Sequence, residues 1–163
     1  MPDFVQPKLD EEIASFANYP PIRGTEELRQ SIAGWIAKRY PSLEGVIDAE
    51  RQILPLCGSR EGLVSAIFPA FAARRQKSPP TVLLPNPFYF SYAAAAAAAQ
   101  AEPVYLSAGL EEGFLPDLEA IPEERLKRTI ALYLASPSNP EGAVASTEYL
   151  ETEIGRASCR ERV

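Results

Sequence analysis

The chain has 163 residues, 46% of them hydrophobic, and a formal net charge of -6. This composition is that of a folded domain with a hydrophobic core, and the acidic balance argues against a nucleic-acid surface, which requires a basic patch. Histidine is absent, which excludes His-based catalytic triads and most metal sites.

The two cysteines, Cys57 and Cys159, form neither a zinc spacing nor a disulfide framework. The first residues lack the basic start and apolar region of a secretory signal. The small apolar stretch at residues 93–99 is far shorter than the roughly 20 residues that cross a bilayer. We therefore expect a cytoplasmic protein with no membrane contact.

Residues 154–163, IGRASCRERV, resemble the translation of a short-read sequencing adapter. We therefore expect residues 153–163 to be an artefact tail and residues 1–152 to be part of a longer natural domain. A basic C-terminal tail that binds a partner is the alternative interpretation.

In chain order, the first predicted element is a helix over residues 8–16, where apolar residues recur at helical spacing. Thr25 has the side chain of an N-cap, and the two glutamates after it favour the start of a second helix. That helix is predicted to run to about residue 39.

The next segment predicts a strand, a glycine turn and a helix. Residues 52–56 are a short apolar run that stops before Gly58, and residues 60–75 have helical spacing, with a bend at Pro69. The remaining predicted elements are strands over residues 81–84, 103–106 and 129–134, and helices over residues 89–100, 118–121 and 123–127. This alternation predicts an α/β fold with a mainly parallel sheet and helices on both faces.

Three places in this pattern are candidates for ligand binding, and the first two lie at Ser59–Arg60 and at Tyr89. At Ser59 and Arg60 a strand gives way to a helix, where free backbone amides can hold a phosphate, although a purely structural glycine turn is the alternative. Tyr89 follows the next strand, where its ring could stack on a flat cofactor or belong to the core.

Asn139 is the third candidate. It follows the last predicted strand in a turn that contains Pro137, Pro140 and Gly142. Ligands bind at the carboxyl ends of strands in open α/β sheets, so this is the position of a binding residue, with a polar turn after a strand as the alternative.

Taken in order, these segments resemble the large domain of fold-type I pyridoxal-phosphate aminotransferases, class I/II, over nearly all of residues 1–152. The string YPPIRGTEELR at residues 19–29 is similar to the family's tyrosine, glycine and Leu-Arg helix, and residues 54–63 are similar to its phosphate turn. PNPFY at residues 85–89 resembles the Pro-x-aromatic stretch, and SNPEG at residues 138–142 resembles the Asn-Pro-x-Gly turn.

Two details refine the resemblance. Glu141 stands where the family usually has threonine, and the Asn139–Pro140 peptide is expected to be cis. Within the family, the strings YPPIRG, GSREG and PNPFY are most similar to bacterial N-succinyldiaminopimelate aminotransferases of lysine and cell-wall precursor synthesis.

The resemblance implies a role for five residues toward pyridoxal 5'-phosphate. The backbone amides of Ser59 and Arg60, with the Ser59 hydroxyl, would hold the phosphate. Tyr89 would stack on the pyridine ring, and Asn139 would donate to its phenolic oxygen. Tyr19 would reach the phosphate of the other subunit, which requires a homodimer.

The resemblance also implies that residues 1–152 lack three groups of the family's active site. The lysines, Lys8, Lys38, Lys77 and Lys127, lie on or beside polar helical faces. In the family, the lysine that attaches the cofactor, the acid at the pyridine nitrogen and the arginine that binds the substrate carboxylate all come later than Asn139. We therefore assign no catalytic residue here, and we expect the chain alone to be inactive.

The expected reaction of the whole enzyme transfers an amino group between an amino acid and a 2-oxo acid, with N-succinyl-2-amino-6-oxopimelate and glutamate as the expected pair. Three alternatives remain: an aminotransferase of other specificity, the aminotransferase-like effector domain of a transcriptional regulator, and a nucleotide-binding α/β module. The last would need a glycine-rich turn with an acid about 20 residues on, and the sequence has no such pair.

Overall fold

A computed structural model describes residues 1–73 and 78–158. The chain divides into an N-terminal unit, residues 1–57, and a C-terminal unit, residues 58–163. Residues 74–75 of one predicted helix and residues 159–163 of the predicted tail lie outside the described ranges. Within those ranges no helix is long and apolar enough to cross a membrane.

The N-terminal unit contains helices only. They are α1 (Val5–Glu11), a 3-10 helix (Ile13–Ala17), α2 (Glu26–Arg39) and a second 3-10 helix (Pro41–Leu43). The prediction of one helix over residues 8–16 is therefore wrong. Pro7 is tolerated in the first turn of α1 because that turn needs no amide donor, so the helix begins earlier. It ends where the amide of Ser15 donates to the carbonyl of Glu12 at 2.9 Å, which tightens the next turn into 3-10 geometry.

Helix α2 begins as predicted. The Thr25 hydroxyl oxygen accepts a hydrogen bond from the amide of Leu28 at 3.2 Å, and Glu26 and Glu27 occupy the first turn. The cap satisfies one of the amides that a helix start leaves without a partner, and the acidic pair faces the positive end of the helix dipole.

We expect Thr25→Ala to lower the free energy of unfolding by about 1 kcal/mol, because the Leu28 amide loses its acceptor. Urea unfolding followed by the fluorescence of Trp35, the single tryptophan, measures the change within α2 itself. Thr25→Ser, which keeps the hydroxyl, is the matched control and should unfold close to the original chain. Equal midpoints for the alanine and serine variants would contradict the role of the cap.

The strand predicted over residues 52–56 does not form, so that prediction is wrong. Ile53 is buried, but the segment is irregular. A strand requires a neighbouring backbone, and within the described part of the N-terminal unit no strand runs beside this segment. Pro55 also removes one of its amide donors.

The C-terminal unit alternates helices and strands. The helices are α3 (Ser59–Ser65), α4 (Ile67–Ala73), α5 (Ser91–Ala98), α6 (Glu123–Arg128) and α7 (Thr147–Ser158). The strands are β1 (Thr81–Asn86), β2 (Glu102–Ser107) and β3 (Thr129–Leu132).

Two predicted helices of this unit differ from the structure. The helix predicted over residues 60–75 is interrupted at Ala66, because in a continuous helix the ring of Pro69 would clash with the carbonyl of Ser65. Residues 118–121 form a turn instead of a helix. The Asp117 carboxylate holds that turn by accepting from the amide of Glu119 at 2.9 Å, which competes with helix formation.

The sheet confirms the predicted α/β fold. Its order is β2-β1-β3, and both pairings are parallel. The central strand β1 alternates its side chains between two cores, as the period of a strand requires. Val82 and Leu84 pack with α5 in one cluster, while Leu83 joins Leu118 in the other. Helices cover both faces, since Leu126 of α6 packs against the second cluster.

Candidate functional site

The carboxyl ends of β1 and β3, at Asn86 and Leu132, lead into the loops that carry Tyr89 and Asn139. These loops lie in the same C-terminal unit as the start of α3. The candidate site comprises the start of α3, the loop after β1 and the loop after β3.

Helix α3 begins with free amides. Gly58 is its N-cap residue, no side chain caps it, and the amide of Gly62 donates back to the carbonyl of Gly58 at 3.4 Å. The amides of Ser59 and Arg60 precede that bond, so they have no carbonyl one turn back. They can donate to an anion at the positive end of the helix.

Arg60 and Tyr89 are in direct contact. The Arg60 Nε donates to the Tyr89 hydroxyl at 3.0 Å, and the guanidinium carbon lies 5.0 Å from the centroid of the Phe90 ring. The hydrogen bond with Tyr89 raises the pKa of Arg60 above its ordinary value. The first turn of α3 therefore carries the positive charge of Arg60, and the hydrogen bond to the Tyr89 hydroxyl fixes that end of the tyrosine ring.

The Tyr89 ring also contacts a pair of stacked tyrosines. Its centroid lies 5.8 Å from that of Tyr92, with the rings nearly perpendicular at 85°. Tyr92 stacks on Tyr133 at 4.6 Å, and the Tyr133 hydroxyl donates to the carbonyl of Leu63 at 2.6 Å. Burial raises the pKa of both stacked tyrosines. The row of rings joins α3, α5 and the end of β3.

Sequence reasoning did not select Tyr92 or Tyr133. Tyr92 could have been found, because it lies three residues after Tyr89 at helical spacing. Tyr133 gives no such local signal.

Asn139 lies in a closed turn. The amide of Gly142 donates to the carbonyl of Ser138 at 2.9 Å, and the amide of Ala143 donates to the Ser138 hydroxyl at 2.9 Å. The Asn139–Pro140 peptide is cis, as predicted. The turn leaves Asn139 exposed.

A cleft adjoins this turn. Its lining includes Pro85 and Pro87 from the β1 end, Tyr92 of α5, and Asn139 and Glu141 from the turn. One carboxylate oxygen of Glu141, Oε1, is buried and has no hydrogen-bond partner among the described residues. Asn139 and Glu141 thus line a small cleft at the carboxyl edge of the sheet.

Four of the five predicted binding residues lie in the C-terminal unit, and the fifth, Tyr19, lies in the N-terminal unit. Arg60 contacts Tyr89 directly, and Ser59 precedes Arg60 in the same helix turn. Asn139 shares its cleft with Tyr92, which contacts Tyr89. Tyr19 belongs to the N-terminal unit, where its side chain is 100% exposed.

Comparison with known proteins agrees with this architecture. The model of the family "Aminotransferase class I and II" matches residues 1–154. LL-diaminopimelate aminotransferase 2 of Trichormus variabilis is 36% identical over 140 residues, which cover 85% of this chain and 34% of that protein. LL-diaminopimelate aminotransferase of Desulforudis audaxviator is 37% identical over 153 residues, covering 91% and 36%.

Solved structures agree as well. An aminotransferase from Neisseria meningitidis superposes with a TM-score of 0.83 at 32% identity, over 94% of this chain and 38% of that one. Substrate-bound BacF from Bacillus subtilis gives 0.79 at 29% identity, over 96% and 38%. The chain spans about a third of the length of the curated relatives it matches. The family match and the parallel α/β sheet together show that this chain belongs to the aminotransferase class I and II family, with part of the fold-type I domain.

Proposed function

We propose that this chain forms the cofactor-binding part of a pyridoxal-phosphate-dependent aminotransferase. The observation that carries the proposal is the contact between Arg60 and Tyr89 beside the uncapped start of α3. It joins an anion-binding helix start to an aromatic ring in the unit that also carries Asn139.

The phosphate would bind at the start of α3. The amides of Ser59 and Arg60 and the Ser59 hydroxyl supply three hydrogen-bond donors, and no side chain of the described residues caps this helix start. Backbone amides at the positive end of a helix suit a phosphate group. The positive charge of Arg60 would also attract the phosphate, while the side chain keeps its contacts with Tyr89 and Phe90.

The ring would bind between Tyr89 and Asn139. Tyr89 offers a ring for stacking, and the Asn139 side-chain amide offers a donor to the phenolic oxygen. When bound, pyridoxal phosphate supplies an electron-withdrawing ring that carries the amino group between the two substrates. Asn139 would hold negative charge on the ring oxygen, and Tyr89 would fix the plane of the ring.

The groups that complete the reaction would lie outside residues 1–152. Lys8, Lys38 and Lys127 are exposed, and two of them pair with nearby glutamates on the same helix. None of these three has the buried setting that lowers the pKa of a reactive lysine, and Lys77 lies outside the described residues. We therefore propose that the rest of the enzyme supplies the lysine that attaches the cofactor, and that this chain alone does not transaminate.

A second copy would complete the site. We propose that Tyr19 of one copy hydrogen-bonds to the cofactor phosphate of its partner in a homodimer. Its full exposure on the N-terminal unit leaves the hydroxyl accessible to such a partner.

The proposed substrates are N-succinyl-2-amino-6-oxopimelate and glutamate. The named relatives are LL-diaminopimelate aminotransferases, which supports lysine biosynthesis and makes LL-diaminopimelate the second candidate. Comparison of kcat/KM for the succinylated substrate and for LL-diaminopimelate, with the full-length gene product that contains this chain, decides between them. A higher value for the succinylated substrate supports the first, and a higher value for the free diamino acid overturns it.

The phosphate site gives the direct test of the proposed function. We expect Ser59→Ala in the full-length protein to weaken pyridoxal phosphate binding about tenfold, because one hydrogen bond to a charged group is lost. Binding of pyridoxal, which lacks the phosphate, should not change. Equilibrium dialysis with both ligands measures the ratio. Ser65→Ala, at the other end of α3, is the matched control, and equal losses for the two variants would refute the site.

A further inference from the structure

A buried arginine donates hydrogen bonds to the backbone of the loop that carries Tyr19. Arg29 of α2 is only 7% exposed. Its Nη1 donates to the carbonyl of Arg23 at 3.0 Å and to the carbonyl of Gly24 at 2.7 Å. Both acceptors are backbone atoms at the end of the loop, so Arg29 fixes the path of the chain.

An acidic residue completes this contact. The Arg29 Nη2 donates to Glu50 Oε2 at 2.6 Å, and Arg23 Nη1 donates to Glu50 Oε1 at 2.7 Å. Glu50 is itself held in place, since the Asp48 carboxylate accepts from its backbone amide at 2.8 Å. The carboxylate therefore ties Arg29 and Arg23 to a second loop. We call Arg29, Glu50 and Arg23 the clamp.

The backbone of the loop has little freedom beside the clamp. Gly24 has a φ of +69°, and a Cβ at this position would lie 2.9 Å from Pro55 Cγ. Its amide donates to the carbonyl of Pro21 at 2.9 Å, which closes a turn. In contrast, the side chains of Tyr19 and Ile22 are 100% and 98% exposed. The loop thus combines a backbone that is held at residues 21–24 with exposed side chains.

Stability alone does not account for the clamp. Arg29 Nε is buried and has no hydrogen-bond partner among the described residues. A buried donor left in this state is costly, and an apolar side chain at this position would not carry that cost. Unlike an apolar side chain, Arg29 donates two hydrogen bonds to the loop carbonyls.

We infer that Arg29 and Glu50 are positioning residues, which hold the loop of residues 18–24 so that Tyr19 is preset to enter the phosphate site of a second copy of this chain. This inference rests on the proposed function, because it takes the role of Tyr19 from it. A loop that is already ordered loses less entropy on contact, so binding energy is retained.

The test uses the full-length dimer and two readouts. Hydrogen exchange of the Gly24 amide reports the order of the loop without cofactor. The ratio of the dissociation constants for pyridoxal and pyridoxal phosphate reports the phosphate contact. Arg29→Lys keeps the charge but not the fork of donors, and it should speed exchange and lower this ratio about tenfold, the loss of one charge-assisted hydrogen bond. Arg51→Lys, at an exposed arginine of the same unit, is the control and should change neither.

A double-mutant cycle separates positioning from general stability. Tyr19→Phe should lower the ratio about tenfold, and Arg29→Lys combined with it should add nothing further. Glu50→Gln, a milder change at an exposed side chain, should shift both readouts in the same direction and serves if Arg29→Lys does not fold. If Arg29→Lys left the ratio unchanged, or if the double variant lost the product of the two single losses, the inference would be overturned and the proposed role of Tyr19 would stand. An unchanged ratio in Tyr19→Phe overturns the proposed role of Tyr19 and the inference with it.

Discussion

Replacing Leu84 by alanine is expected to lower the free energy of unfolding by about 2–5 kcal/mol. Leu84 is 0% exposed on the central strand β1 and packs in the cluster that contains Tyr92 and the buried alanines of α5. Alanine side chains cannot expand into the space that leucine vacates, so we expect most of the cavity to remain. A domain whose total stability is about 5–15 kcal/mol would lose a large share of it.

Urea unfolding followed by circular dichroism measures this loss. Leu110→Ala is the matched control, since Leu110 is 80% exposed and its truncation should change the stability by less than about 0.5 kcal/mol. Equal unfolding midpoints for the two variants would show that β1 is not the centre of the core.

The second large effect is expected at Asn139. In the full-length protein, Asn139→Ala should weaken pyridoxal phosphate binding by about ten- to a hundredfold, the range for one hydrogen bond to a charged oxygen. The bound cofactor should also change its absorption band and titrate at a higher pH, because the donor that stabilises the ionised ring oxygen is gone.

A spectrophotometric pH titration of the bound cofactor measures the second effect. Asn18→Ala, at an exposed asparagine of the N-terminal unit, is the control and should leave both the affinity and the spectrum unchanged. If Asn139→Ala gave the spectrum and titration of the original protein, the side chain would not contact the ring.

Features set by neighbouring residues could be predicted from the sequence. Thr25 caps α2 because its acceptor and the Leu28 amide are three residues apart. The parallel sheet follows from short apolar runs that alternate with helical patterns, as at β1. The turn at Asn139 is marked by the prolines on both sides of it.

Features that need a distant partner could not be predicted. Residues 52–56 have the composition of a strand, yet they lack a neighbouring backbone to pair with. From the sequence, Arg29 looks like an exposed helix residue, because only the fold brings Glu50 and the loop carbonyls into contact with it. Tyr133 stacks on Tyr92 across a strand and a helix, and no local pattern brings those rings together. The contact between Arg60 and Tyr89 could not be predicted either, because the two residues belong to the starts of two different predicted helices.

The most direct test of the account is a crystal structure of the full-length protein with pyridoxal phosphate. We expect the phosphate within hydrogen-bond distance of the Ser59 and Arg60 amides and the ring stacked on Tyr89. The Asn139 side-chain amide should lie within hydrogen-bond distance of the phenolic oxygen. Electron density for the cofactor away from the start of α3, or a ring that contacts neither Tyr89 nor Asn139, would contradict the proposed site.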